Sequence, residues 1–235
     1  MKNISLKDRI IYEDNHLLVI NKLPGELVQA DAAGNTSLED MLKEYIRHRD
    51  KKPGNVYLNA AHRIDRPVSG LVLFCKTSKS LARINVMLQN REIRKIYWAV
   101  VENTPPKPED TLIHFLKRDG RKNKTYVFSH PTGNAKKAIL HYKLLKKLER
   151  YSWLEIILET GRHHQIRAQL SAAGLPIKGD LKYGAKRSNK DGSICLHAAS
   201  LEFIHPIKKE KFYLEAIPLS EETIWNHCIP DKRYV

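Results

Sequence analysis

The sequence predicts an α+β fold built around a mainly antiparallel sheet. Two observations carry this. From residue 56 onward, short strand-like runs follow one another at close intervals, and no regular strand–helix alternation of the parallel βαβ class accompanies them. Helical periodicity is confined to three stretches, at 38–46, 81–89 and 166–174. A chain of 235 residues can bury a sizeable core, as one domain or as two small lobes.

Ile10–Tyr12 and Leu17–Ile20 read as strands parted by the polar turn Glu13-Asp14-Asn15. LPGELVQADAAGNTS (23–37) is a loop. It ends in Ser37, an N-cap candidate, with Glu39 and Asp40 in the first turn where the helix dipole favours acids. Leu38, Met41, Leu42, Tyr45 and Ile46 then recur at helical spacing. GLVLFCK (70–76) is a continuous apolar run and predicts a buried strand, with LARINVMLQ (81–89) a helix beside it. KIYWAVV (95–101) is rich in aromatic and β-branched residues.

Beyond the proline-rich link NTPPKPED (103–110), strands are predicted at TLIHFL, KTYVF, AILHYKLL and YSWLEIILE, the last strongly alternating. IRAQLSAAG (166–174) predicts a short helix stopped by Gly174, with Pro176 just beyond. CLHAASLEFIHP and KFYLEAIP supply the final strands. The runs KRDGRKNK (117–124) and LKYGAKRSNK (181–190) read as basic loops, either contacting a polyanion or simply solubilising.

Charge narrows the function classes. The 41 Lys+Arg exceed the 26 Asp+Glu by 15, an excess that suits a polyanionic partner, of which nucleic acid is the commonest. Cys75, Cys195 and Cys228 leave one thiol unpaired in any disulfide scheme and none lies in a CxxC, so a reducing cytoplasm is expected. The N-terminal MKNISLKDRI has no apolar core and cleavage site of a secretory signal. No run approaches the roughly 20 apolar residues that span a bilayer, so no membrane role is expected. GxGxxG, GxxxxGK[ST], GxSxG and HExxH are absent, which leaves no case for a nucleotide cofactor. No metal is expected either: the 11 histidines lack ligand spacing, and His163 and His164, being adjacent, should point in different directions.

The stretch AAHRIDRPVSG (60–70) sets the carboxylate of Asp65 between Arg63 and Arg66. A turn residue capping nearby amides is one reading. The other is a reactive group. The stretch precedes a buried strand, loops on a rigid sheet commonly carry active groups, and neighbouring guanidiniums favour an ionised carboxylate.

HRIDRPVSGLVLFCKT resembles the HRLDxxTSGLLLFAK signature of the RluA-type RNA pseudouridine synthases, the branch that modifies uridines in ribosomal or transfer RNA. The likeness continues in RKIYWAVVE (94–102), in TGRHHQIRAQLSAAGLPIKGDLKYG (160–184), in LHAASLEFIHP (196–206) and in the opening IIYEDNHLLVINKLPGELV. These matches keep their order from about residue 9 to 217. The family's Thr-Ser pair is Val68-Ser69 here, and Gln169 stands where His is usual. The pattern begins within about ten residues of Met1. A single catalytic domain over 1–235 is therefore expected, without the small N-terminal RNA-binding domain that many relatives carry.

The resemblance implies an enzyme that breaks the N1–C1′ bond of uridine, turns the freed uracil and rejoins it through C5, without cofactor. It makes Asp65 the essential carboxylate, acting on C1′ or on the 2′ proton. Arg167 becomes the basic group paired with that aspartate, and Tyr97 the ring that stacks on the target base. Lys95, two residues from Tyr97, would share its strand face. His62, Arg63, Arg162 and His164 would face the RNA, Arg63 entering it beside the flipped nucleotide. The expected partner is ribosomal or transfer RNA, and a monomer is the default state. Two rivals remain: an RNA-binding assembly factor without catalysis, and a hydrolase that releases free uracil.

Overall fold

A computed structural model of the protein describes residues 4–31, 33–219 and 222–229. Residues 1–3, in the stretch read for a signal, and residue 32 of the 23–37 loop lie outside them. In chain order the early elements are α1 (Leu6–Arg9), β1 (Ile10–Glu13), β2 (Leu17–Lys22), α2 (Leu38–Arg49), β3 (Asn59–Ala60), β4 (Ser69–Cys75) and α3 (Ser78–Gln89). There follow β5 (Arg94–Glu102), β6 (Glu109–Asp119), β7 (Lys124–Phe128), β8 (Lys136–Lys147) and β9 (Tyr151–Leu158). Then come α4 (Gln165–Ala172), a 3₁₀ turn (Leu181–Tyr183), β10 (Leu196–Ile204), β11 (Lys211–Glu215) and α5 (Ile224–Cys228). These elements form two compact units, one of residues up to 94 with 198–219, the other of 95–197 with 222–229.

The first unit orders its strands β1-β2-β4-β10-β11, with β3 also on β4; the β1–β2, β2–β4, β3–β4 and β10–β11 pairings are antiparallel. All seven residues of β4 are buried, as its unbroken apolar run requires. Leu17, Val19, Leu71, Leu73, Ile84, Met87, Leu201 and Phe203 form one core, so β2, β4 and β10 pack beneath α3. Ser37 caps α2 as expected. Its hydroxyl accepts from Asp40 N–H and the Asp40 carboxylate accepts from Ser37 N–H, a reciprocal capping box. Leu38, Leu42 and Ile46 line the buried face.

The second unit orders its strands β5-β9-β8-β6-β7, each pairing antiparallel. Cross-strand partners place Tyr97, Ile156, Tyr142, Leu140 and Leu112 on one face. α4 covers that face. Its Gln169 is wholly buried and donates to Leu112 O (3.0 Å) and Ala138 O (3.3 Å), which gives the departure from histidine a packing role. Gly174 ends the helix at φ 76°, where a side chain would be strained, and donates to Ser171 O. Trp98 and Trp153 meet edge to face at 5.5 Å on the opposite side.

The run KRDGRKNK is not one loop. Lys117–Asp119 end β6 and Lys124 begins β7, leaving only 120–123 as the turn, where Asp119 accepts from the amides of Arg121 and Lys122. β7 closes the strand order of the second unit, and lysines and arginines are well tolerated on such strands. Among the described residues, no helix is long and apolar enough to cross a membrane, and no cluster of three or more His, Cys, Asp or Glu could hold a metal. The three thiols are free and buried. Burial pushes Cys75 up to about 11 and Cys195 and Cys228 up to about 12.

Candidate active site

Asp65 lies in the turn that leads into β4, half-buried, with Arg63 and Arg66 exposed on either side. Its carbonyl accepts from Val68 N–H (3.0 Å), which closes the turn. The backbone behind it is fastened to the Lys22–Glu26 segment: Gly25 N–H donates to Arg66 O (2.7 Å) and Arg66 Nε donates to Gly25 O (2.9 Å). Lys22 completes the attachment. Its buried ammonium donates to Leu23 O (2.8 Å), Glu26 O (2.9 Å) and Arg66 O (3.1 Å), one carbonyl for each proton. Burial pushes Lys22 down to about 7, against the attraction of Glu26 and Asp65. Glu26 in turn accepts from Leu23 N–H and from the Arg9 guanidinium.

Five residues past Asp65, Gly70 sits at φ 118°, and a Cβ there would lie 2.4 Å from the backbone N and O of Ala198. Only glycine fits so close an approach, and it seats the start of β4 against β10. His62 is half-buried, and its Nε2 accepts from Leu73 N–H (3.3 Å), tying the motif's first residue to β4.

In the second unit, Tyr97 is buried on β5, and Lys95 shares its face as the alternation predicts. Burial lowers the Lys95 ammonium from its ordinary value. Arg162, His164 and Arg167 gather at the start of α4. Gln165 shapes this stretch: its Oε1 accepts from Thr160 Oγ1 and Arg162 N–H, and its Nε2 donates to Ile139 O.

Arg167 is buried and forms a bidentate pair with Asp180, which is 1% exposed. The guanidinium also lies 5.1 Å from the centre of the Tyr183 ring. Tyr183 OH accepts from Thr125 N–H (2.8 Å) and pairs with His164 Nδ1 (2.9 Å), so one ring links β7, α4 and the 3₁₀ turn.

The expectation that His163 and His164 diverge is overturned: their rings stack at 3.7 Å. His164 takes a left-handed backbone, φ 50° and ψ 26°, which folds its side chain back onto its neighbour's. Asp180, Tyr183 and Lys22 were not singled out from sequence. Asp180 and Tyr183 belong to the GDLKYG segment and Lys22 to INKLPG, so the signal was present in the motifs without a role attached.

A family profile described as RNA pseudouridylate synthase matches residues 16–172, two thirds of the chain. The chain belongs to the RNA pseudouridylate synthase family. Members are isomerases, and this assignment is supported by curated relatives. The chain is 33% identical over 222 residues to ribosomal large subunit pseudouridine synthase C of Buchnera aphidicola subsp. Baizongia pistaciae, covering 91% of this chain and 68% of that one. It is 32% identical over 218 residues to ribosomal large subunit pseudouridine synthase D of Zymomonas mobilis, covering 88% and 68%. Among solved structures, human RNA pseudouridylate synthase domain containing 4 superposes with a TM-score of 0.76 at 22% identity, over 94% of this chain and 92% of that one. That likeness carries the fold alone, and the fold is the pseudouridine synthase α+β type.

Proposed function

We propose that this synthase converts specific uridines of ribosomal or transfer RNA to pseudouridine with Asp65 as its catalytic carboxylate. The observation that carries the reading is the mounting of Asp65. The backbone behind it is held by Lys22, Gly25 and Arg66, while the residue itself is only half-buried in a turn rich in positive charge. A catalytic group needs that combination of fixed position and access.

The carboxylate acts at the ribose, either by attacking C1′ or by taking the 2′ proton, as the N1–C1′ bond breaks. The uracil turns, its C5 bonds to C1′, and the C5 proton leaves while N1 gains one. Substrate and product have the same atoms, so the cycle balances without a cofactor. In this reading Arg167 orients the acid, Tyr97 stacks on the base, and His62, Arg63, Lys95, Arg162 and His164 contact the RNA. The relatives named for the large ribosomal subunit make ribosomal RNA the first substrate to examine, and transfer RNA the second.

The test is to delete the gene in its host, map pseudouridines across total RNA, and restore it with wild-type or Asp65→Asn protein. Wild type should recover the missing site and Asp65→Asn should not, although the variant still binds RNA. Full activity in Asp65→Asn sinks the assignment. RNA binding with no product from wild type points to an assembly factor, and free uracil points to a hydrolase.

A further inference from the structure

The second unit carries a cleft of about 380 Å³, lined in part by Arg118, Thr125, Lys136, Arg162 and His163. We propose that this cleft is a phosphodiester-binding subsite for the RNA substrate. The proposal rests on the reading of the protein as an RNA-acting synthase, but not on the role of Asp65.

Strand register builds the site. Leu116 pairs with Lys136 and Arg118 pairs with Thr125, so these four side chains share one face across β8, β6 and β7. The loop at 161–163 forms the facing wall. Three cationic residues, Arg118, Lys136 and Arg162, thus line one small space. Among the described residues no Asp or Glu lines it, and Arg118 and Lys136 form no ion pair. Uncancelled positive charge in a concave wall focuses potential and draws in an anion.

His163 is held in place at the edge of this space. Thr125 Oγ1 donates to His163 O (2.9 Å), so the same oxygen is left to accept from His163 Nδ1 (2.8 Å), while Nε2 faces Asn123 Oδ1 (3.2 Å). Among the described residues no Trp, Tyr or Phe lines the cleft, and the His163 ring is already stacked on His164, so charge rather than stacking dominates its wall. The chemistry favours backbone phosphate over base, a contact that positions the strand without reading its sequence.

The cleft is also joined to the proposed catalytic arginine. Thr125, at its edge, donates its N–H to Tyr183 OH, and the Tyr183 ring lies against Arg167. A phosphate held here would register the RNA two contacts away from that guanidinium.

The experiment uses the full chain and a fluorescein-labelled oligouridylate 12-mer, with affinity measured by anisotropy across a KCl series. Arg118→Ala/Lys136→Ala should weaken binding about tenfold at 0.1 M KCl. It should also flatten the plot of log K against log [KCl] by about 1.4, at about 0.7 per lost single-strand contact. Both side chains are exposed, and Lys143→Ala, an exposed lysine on the other face of β8, should leave the slope unchanged. On ribosomal RNA the double variant should raise KM and spare kcat. Slope and affinity equal to wild type in the double variant would overturn the proposal, as would an equal loss in Lys143→Ala. A double variant that loses slope while wild type forms no pseudouridine keeps the subsite and removes only the catalytic reading.

Discussion

The guanidinium of Arg167 lies flat against the carboxylate of Asp180, with Nε 2.7 Å from Oδ2 and Nη2 2.9 Å from Oδ1. Both groups are withdrawn from solvent. Removing one member of such a pair strands the other as an uncompensated buried charge, at about 3–5 kcal/mol. Asp180→Asn should therefore lower the unfolding free energy by about 3 kcal/mol in urea titrations. Turnover should fall about a hundredfold, because Arg167 loses the partner that aims it. Stability and turnover near wild type would show that Asp180 does not hold the arginine.

Tyr183 separates the contribution of a ring from that of a hydroxyl. Tyr183→Phe keeps the ring beside Arg167 but leaves Thr125 N–H and His164 Nδ1 without their partner. It should cost about 1–2 kcal/mol of stability and change turnover only a few-fold. Tyr183→Leu removes both and should depress kcat further than Phe does. Equal kcat values for the two variants would mean that the aromatic face does not support Arg167.

Lys22 is a matter of stability. Its three carbonyl partners, at about 1 kcal/mol for each hydrogen bond, predict that Lys22→Met loses about 3 kcal/mol. The denaturation midpoint should drop at unchanged m-value, and an unshifted midpoint would refute the anchoring role.

Acid should weaken the first unit. Burial alone would raise the Asp14 carboxyl, but hydrogen bonds from His16 N–H, Leu17 N–H and Tyr12 OH, with Lys208 nearby, hold it well below the usual carboxylate range. Glu13 is lowered too, chiefly by Arg49. A carboxyl lowered by folding contributes stability that is present above its unfolded value, 3.8 for Asp14, and is lost as pH falls below it. Urea midpoints should decline below about pH 4, and Asp14→Asn, costing about 2 kcal/mol at neutral pH, should flatten that decline. A decline as steep in the variant would assign the acid sensitivity elsewhere.

Much of the architecture was legible because it rests on local patterns. β4 is an unbroken apolar run, and Ser37 with Asp40 carries its capping box within four residues, whereas the alternation read into β9 gives way to three successive buried residues, Ser152–Leu154. What was not legible depends on distant partners. α5 spans only five residues and has no period to read, and it is recognised by burial of Trp225. Lysine at position 22 looks like an exposed strand end until the carbonyls of Leu23, Glu26 and Arg66 converge on it. The stacking of His163 on His164 follows from a positive φ that a non-glycine residue rarely adopts. The candidate site divides in the same way. The motifs marked Asp65, Tyr97 and Arg167, whereas Asp180 and Tyr183 acquire roles only once the 3₁₀ turn brings them under α4.

The sealed thiols have a practical corollary. Alkylating dyes attack thiolates, and Cys75, Cys195 and Cys228 are both hidden and reluctant to ionise near neutrality. A cysteine introduced on the surface, at Lys143 for example, would then be the fast-reacting position for maleimide. Fluorophores could be attached there with the native cysteines left in place.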